Sequence, residues 1–589
     1  MSSEKTDLPN LGWQSDVIAD LIRQYDFPYI VLNPGASYRG LHDSLVNHNG
    51  DDPPMLICQH EKIAVQIAHG YAKVTGKPLV AIVHNVVGLL QATLGVYLAY
   101  QDRVPVFLIG ATGPVDEGKR RPRLDWNHTA NVQGQAVRDF TKWDYQPGGI
   151  DGVPSSFARA YSIMMTEPRG PIYMCYDAWL QEAPLTEPVP LPAPGAPRVP
   201  SRIAPESAAI EEAAERILSA KWPVLVPEYV GRVETGFGDL QALAETIGAP
   251  VVDNGARLNF PPQHPLDMRM NSAVFREADL IVGLDLRDWQ KPTHKVDQMA
   301  RVLTPHYPES CEWMEIGFGD IEISKWATEM PAFPDCTHRI LADTAVAIPE
   351  LTRICRARID GDVSLARSID ARRRIISDMH DAQRAKWKED ARKDWDSAPM
   401  TLARLASEVW EAIKGEDWVL ANNAFVNWAF RLWDFDKPYR HPGIGLGTAT
   451  QIGIALGVAL AHKSTGRIVV HCQPDGDLMF DAGALWFASR YEIPMLVVMH
   501  NNRAYGNDWD HQITMARQRG TPVERANIGM DLVDPEPDFA TMARSMGWYA
   551  EGPIEDPADV KDALLRAIEV VKSGKPALVD TITRSPSGH

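Results

Sequence analysis

Cysteine is scarce and unpaired in this chain of 589 residues: Cys58, Cys175, Cys311, Cys336, Cys355 and Cys472 lie scattered, with no CxxC pair among them. Neither a zinc site nor a disulfide framework is therefore expected, and the thiols read as reduced, structural groups. Long apolar runs are also missing, since none approaches the ~20 residues needed to span a bilayer. The opening MSSEKTDLPNLGWQSD has no apolar core of a signal peptide, so the expectation is a soluble, cytoplasmic protein. Positive charge is in deficit, with 59 basic against 77 acidic side chains and a formal net charge of -18. Nucleic acid and anionic membranes would be repelled, so neither is expected as a partner. A local basic pocket inside an acidic protein stays compatible with that balance.

What is present is ordinary for a globular enzyme: 45% hydrophobic and 23% charged residues. The length is too great for one core. Residues 184–205, PLTEPVPLPAPGAPRVPSRIAP, read as an extended connector. Residues 357–396, including RRRIISDMHDAQRAKWKEDARKDW, read as a charged, solvated helix leading out of a domain. These divide the chain into blocks 1–185, 206–356 and 397–589. In the first, PYIVLN, PLVAIVHN and VPVFLIG are strand-like. WPVLVPEYV, APVVDNG and ADLIVGLDL serve in the second, and RIVVHCQPDG, IPMLVVMHN and PALVDTIT in the third. Strands alternating with helical patterns predict α/β architecture, with three doubly wound parallel-sheet domains in series.

The most informative motif is in the third block. The strand RIVVHCQ ends in Pro474-Asp475-Gly476-Asp477, and IPMLVVMH leads to Asn501-Asn502, with 24 residues (477–500) between Gly476 and Asn501. Strand ends in open α/β sheets converge on ligand crevices, so Asp475 and Asn502 can face one site. A carboxylate, an amide oxygen and a backbone carbonyl are hard ligands that suit Mg²⁺. An acidic chain can hold a diphosphate only with a cation between them, so Asp475 reads as a metal ligand rather than a phosphate contact. The composition of PDGD and NNRAYG also suits plain turns.

GDG followed by 24–27 residues and NN is the signature of the thiamine-diphosphate-dependent enzyme superfamily, which this sequence resembles. The resemblance implies that Asp475, Asn502 and the carbonyl of Ala504 carry Mg²⁺. It assigns Gly476, Asp477, Tyr505 and Gly506, which flank the ligands, to the cofactor with them. Pro474 replaces the first glycine of the motif and removes one N–H donor. In Gly443-Ile444-Gly445-Leu446-Gly447, the resemblance makes Leu446 the wedge that bends the cofactor and gives the Ile444 carbonyl to its 4′-amino group. A dinucleotide fingerprint would need an apolar strand upstream, whereas DFDKPYRHP precedes this segment. An ordinary buried leucine is the alternative at Leu446. Asn422 and Asn423, after WVLA, align with diphosphate contacts, and a helix cap explains them equally.

In the first block CQHEKIAVQIAHGYAKVTGKP resembles the superfamily's pyrimidine-binding helix. Glu61 then bonds N1′ of the cofactor, so that the 4′-imino group can act as base; burial keeps such a carboxyl able to share its proton. Helix-dipole stabilisation is the plainer role for a glutamate there. His84, after PLVAIV, matches a histidine of benzoylformate decarboxylase-type enzymes, either shuttling protons or sitting as a satisfied core residue. NPGAS, FTKWDYQP, GPIYM and ALWFASRYEIP point the same way. Ala36 stands where benzoylformate decarboxylase has serine, so that polar contact is expected to be absent, as in benzaldehyde lyase. Trp509, Asp510, His511, Arg517 and Arg519 border the expected substrate cavity, or belong to a solvated loop. VLVPEYVGRVETG lacks the glycine-rich turn of flavin-bearing relatives, which counts against FAD. The resemblance thus implies an N-terminal pyrimidine-binding domain (1–185), a central domain (206–356) and a C-terminal diphosphate- and Mg²⁺-binding domain (397–589). It implies a homodimer or homotetramer with the active site at the subunit interface, and a lyase, decarboxylase or acetolactate-synthase-type carboligase acting on a small 2-oxo acid or ketone.

Overall fold

The computed structural model describes residues 12–193, 198–297, 299–321, 335–422, 424–425, 427–443 and 449–584. The chain forms two compact units, one of Met1–Ser201 with Leu456–Ala461, the other of Arg202–Ala455 with His462–His589.

The first unit is built on a six-stranded, all-parallel sheet. Its order across the sheet is Met55–Ile57, Ile30–Leu32, Val80–Ile82, Phe107–Thr112, Ile172–Asp177, Trp143–Tyr145. The inner strands are buried apolar runs on both faces, as crossover helices require. The helix Glu61–Thr75 starts where His60 turns its ring back to accept from Lys62 N, and it stops at Gly76, whose φ of 67° favours glycine. The next helix, Val86–Gln101, is capped by Asn85 Oδ1 on Val87 N.

The second unit holds two parallel sheets. The central one has four strands, Cys336–Leu341, Glu312–Gly317, Leu280–Leu284 and Pro223–Pro227, extended by a bridge from Val251 to Leu225. The C-terminal sheet runs Trp418–Asn422, Ile468–Pro474, Leu496–Asn501, Ala577–Ile582, Tyr549–Ile554. APVVDNG, read as a strand from its apolar run, yields only that Val251 bridge and a second to Asp267.

The charged segment after the central sheet differs from expectation. It forms the helix Val363–Asp390, but Ile369, Arg372, Ile376, His380 and Trp387 are buried along one stripe. The Arg372 guanidinium donates to the carbonyls of Gly248 and Lys221, both at 2.8 Å, and to that of Ile247, closing the C-terminal end of the helix Glu234–Ile247. Arg384 donates to Arg431 O at 3.0 Å. A long arginine can bury its stem and still satisfy its head on backbone carbonyls, which charge counting does not register.

At the central sheet's order reversal, between Pro223–Pro227 and Leu280–Leu284, an open α/β domain would ordinarily receive a ligand. Here the buried Glu228 carboxylate accepts from Arg287 N at 2.6 Å and Asp288 N at 2.9 Å. Beside it Arg232 pairs with Asp285 and Asp343 and donates to Thr344 Oγ1 at 3.1 Å. The crevice is occupied by the chain's own charges.

Candidate active site

Two strands of the C-terminal sheet set the geometry of the metal-ligand candidates. Ile468–Pro474 and Leu496–Asn501 are parallel neighbours, with Pro474 opposite His500. The chain leaves the first strand into Asp475, at the start of the short helix Asp475–Asp481, and the second into Asn502. Both residues follow the carboxyl ends of these neighbouring strands, at the same end of the sheet. The Ala504 N–H donates to Asp475 Oδ2 and to Asn502 Oδ1, each at 3.1 Å, so one backbone donor ties the two oxygens together.

Asp475 is 2% exposed, and its Oδ1 accepts from Gly476 N at 2.9 Å. Burial pushes its carboxyl up to about 6, against the pull of the Gly476, Ala504 and Arg503 amides. Among the described residues no cationic side chain pairs with it. A desolvated carboxylate with only neutral partners is short of counter-charge, and a divalent cation supplies it. No group of three or more His, Cys, Asp or Glu that could hold a metal occurs among the described residues. Any ion here would be completed by amide and carbonyl oxygens, the donor set Mg²⁺ accepts. These residues fit a hard cation.

The first asparagine of the pair, which sequence reasoning left without a role, holds the turn. Asn501 Oδ1 accepts from Arg503 N at 3.2 Å, and its Nδ2 donates to the buried Asp580 Oδ1 at 3.1 Å. Arg503 takes a φ of 55°, a left-handed turn that brings Ala504 back toward Asp475. Tyr505 lays its ring over Gly476, where an added Cβ would stand 2.7 Å from Cε1. A side chain at 476 has no room. Gly506 is buried and opens the helix Gly506–Arg519. That helix carries the segment read as a cavity border or solvated loop: Trp509 and Asp510 are half-buried, while His511, Arg517 and Arg519 are exposed.

Asp477 has a different local partner. Its carboxylate accepts from Thr450 N and Gln451 N, both at 3.3 Å, at the start of the helix Gln451–His462, where partial positive charge favours an anion. Gln473 Nε2 adds a bond at 3.1 Å, and Gln473 Oε1 in turn meets His471 Nε2 at 2.7 Å. Asn422, at the end of its strand, donates to Gln451 Oε1. Asn423, Ile444 and Leu446 lie outside the described residues.

The remaining candidates are in the first unit. Glu61 is the first residue of its helix, half-buried. His84 follows the strand Val80–Ile82. Gly88 separates the two: a Cβ there would stand 2.8 Å from His84 Cβ and 3.0 Å from Glu61 Oε1. The His84 ring faces that of His128 at 5.5 Å. Burial, then the positive neighbours His128 and Arg121, hold its pKa below the ordinary histidine range. Ala36 has no polar side-chain atom, but the next residue does: Ser37 Oγ lies 2.8 Å from His84 Nδ1. NPGAS contained the serine, and only the fold shows which ring it meets.

Residues 13–135 match the family described as thiamine pyrophosphate enzyme, N-terminal TPP binding domain, and residues 424–581 match its C-terminal TPP binding domain. A "probable 2-ketoarginine decarboxylase" of Pseudomonas aeruginosa is 24% identical, over 88% of this chain and 84% of that protein. An acetolactate synthase large subunit of Lactococcus lactis is also 24% identical, over 100% of this chain and 95% of that one. The solved benzoylformate decarboxylase of Polynucleobacter necessarius superposes with a TM-score of 0.73 at 20% identity, covering 97% of this chain and 98% of its own. At that identity it speaks for the fold alone. With the N-terminal and the C-terminal TPP binding domain models both matched, the chain belongs to the thiamine pyrophosphate-dependent enzyme superfamily.

Proposed function

We propose that this protein is a lyase or decarboxylase that requires thiamine diphosphate and Mg²⁺, and that it cleaves or forms the carbon–carbon bond beside a carbonyl of a 2-oxo acid or 2-hydroxyketone. The observation that carries this reading is the meeting of Asp475 and Asn502 on one N–H, with a buried carboxylate lacking any cationic partner among the described residues. Thiamine diphosphate supplies an electron sink next to the carbonyl carbon. Asp475, Asn502 and the Ala504 carbonyl hold the ion that neutralises the diphosphate. Glu61 holds a proton at the pyrimidine, and His84 serves the reacting carbonyl. Asn422, Gly476, Asp477, Tyr505 and Gly506 shape the diphosphate end, Asp477 through the helix it caps.

A carboligase of the acetolactate synthase type is the second reading, favoured by relatives of that name such as the one in Lactococcus lactis. The reading without a flavin is supported by the central crevice, where the Glu228 carboxylate already takes the Arg287 and Asp288 amides. The expected outcome is a purified enzyme without flavin absorbance; a bound flavin chromophore would overturn that part of the reading. A homodimer is supported by an apolar stripe on the helix Val86–Gln101, where Val87, Leu90 and Leu94 are 50%, 60% and 38% exposed at helical spacing.

The test is carbon dioxide release from a panel of aliphatic, aromatic and guanidino 2-oxo acids, with and without an acceptor aldehyde. Thiamine-dependent release lost in Glu61→Gln supports the reading. A Glu61→Gln enzyme of near-normal rate removes Glu61 from it.

A further inference from the structure

The Ser37–His84 contact has a consequence for how the imidazole works. Ser37 lies in the short turn Ala36–Tyr38, and its hydroxyl is buried. The turn is held from behind. The buried Gln181 donates through Nε2 to Ser37 O at 3.3 Å and to Tyr176 O at 3.1 Å. Gln181 Oε1 accepts from Leu41 N at 3.4 Å, and Tyr38 OH donates to Asn33 O. Ser37 therefore does not choose its position; buried bonds on both sides fix it.

His84 is equally confined. A Cβ on Gly35 would fall 2.7 Å from His84 Nδ1, and one on Gly88 would fall 2.8 Å from His84 Cβ. A side chain at either glycine would collide with His84, at the ring from Gly35 and at Cβ from Gly88, and the serine hydroxyl stands at the Nδ1 edge, 2.8 Å away. Among the described residues no hydrogen bond holds Nε2.

We propose that Ser37 is a positioning residue for His84, its hydroxyl fixing Nδ1 so that proton exchange with the substrate is committed to Nε2. This rests on the reading of His84 as the group that serves the carbonyl. The step balances simply. With Nδ1–H donating to Ser37 Oγ, the Nε2 lone pair takes one proton to give the imidazolium, and the same nitrogen returns it, while the Nδ1 bond persists. A ring free to rotate or to change tautomer would present the wrong atom part of the time. A well-placed general acid–base contributes about 10² to 10⁴ in rate, so losing its orientation should remove about one to two powers of ten of that.

The experiment compares Ser37→Ala, Ser37→Thr and His84→Ala as full-length holoenzymes. Carbethoxylation of His84, followed by peptide mass spectrometry, serves as a readout independent of turnover. For Ser37→Ala the expected results are a kcat loss of about 10- to 100-fold with KM within about twofold, and calorimetric cofactor affinity unchanged. His84 carbethoxylation should fall, because the bond that keeps the reactive lone pair on Nε2 is lost and the ring divides between tautomers. Ser37→Thr, which keeps the hydroxyl, should recover most of the rate. If Ser37→Ala loses activity but His84 is modified at the wild-type rate, or if threonine does not rescue, the role is structural and the proposal fails. If Ser37→Ala turns over normally while His84→Ala does not, Ser37 is dismissed and His84 stands. Full activity in His84→Ala overturns the reading of the histidine itself.

Discussion

Replacing Asp475 with asparagine separates two effects that usually travel together. In the metal-free protein the Asp475 carboxyl is pushed up to about 6 from an ordinary 3.8, chiefly by burial. A gap of that size corresponds to about 3 kcal/mol at 1.36 kcal/mol per pKa unit. The sign follows from the direction. A carboxyl whose folded pKa is raised binds more protons in the native state, so stability falls as pH rises between about 4 and 6, and the whole penalty is present above that window. The substituted amide carries no charge and avoids the penalty, but its single oxygen can serve only one of the two N–H groups, Gly476 on Oδ1 or Ala504 on Oδ2, and losing the other bond returns about 1 kcal/mol of the gain. After chelation with EDTA at pH 8, Asp475→Asn should therefore melt several degrees above wild type, at about 2 to 4 °C per kcal/mol for a domain of this size. At pH 4.5 most of the difference should vanish. Adding Mg²⁺ should reverse the ranking, because the ion stabilises only the protein that binds it. Differential scanning calorimetry at the two pH values, with and without Mg²⁺, provides the four numbers needed. If the variant melts with or below wild type in EDTA at pH 8, Asp475 is not a desolvated, unpaired carboxylate and has no need of a cation.

Two further outcomes follow from packing. Gly88→Ala drives a methyl against His84 and Glu61 Oε1, which should cost about 1–3 kcal/mol of stability and most of the activity; a fully active variant would show that the two side chains do not share that space. Leu90→Asp places a charge in the exposed apolar stripe; wild type is expected to sediment as a dimer and the variant as a monomer at the same concentration, whereas equal sedimentation coefficients would assign the stripe no role in pairing.

The alternating rhythm of apolar runs and helices was enough to read three parallel sheets. Asp475 and Asn502 were legible because a strand's direction fixes where its end lies, and adjacent strands bring their ends together. Side-chain partnerships were not. Asp477 could be placed beside the motif, but its grip on Thr450 and Gln451 depends on a helix start that is distant in sequence. Ser37 was visible in NPGAS, yet which ring it meets is decided by the strands Ile30–Leu32 and Val80–Ile82 lying side by side. The charged segment Val363–Asp390 read as solvated because spacing does not reveal that an arginine such as Arg372 can finish another helix.

The central claim is that an acidic chain holds a diphosphate through a cation clasped by Asp475 and Asn502. Calorimetric titration of thiamine diphosphate into the wild-type protein, with Mg²⁺ and again in EDTA, tests it most directly. Saturable binding in Mg²⁺ that weakens at least about tenfold, or ~1.4 kcal/mol, in EDTA and in Asn502→Ala is the predicted result. Equal affinity with and without a divalent ion would contradict it.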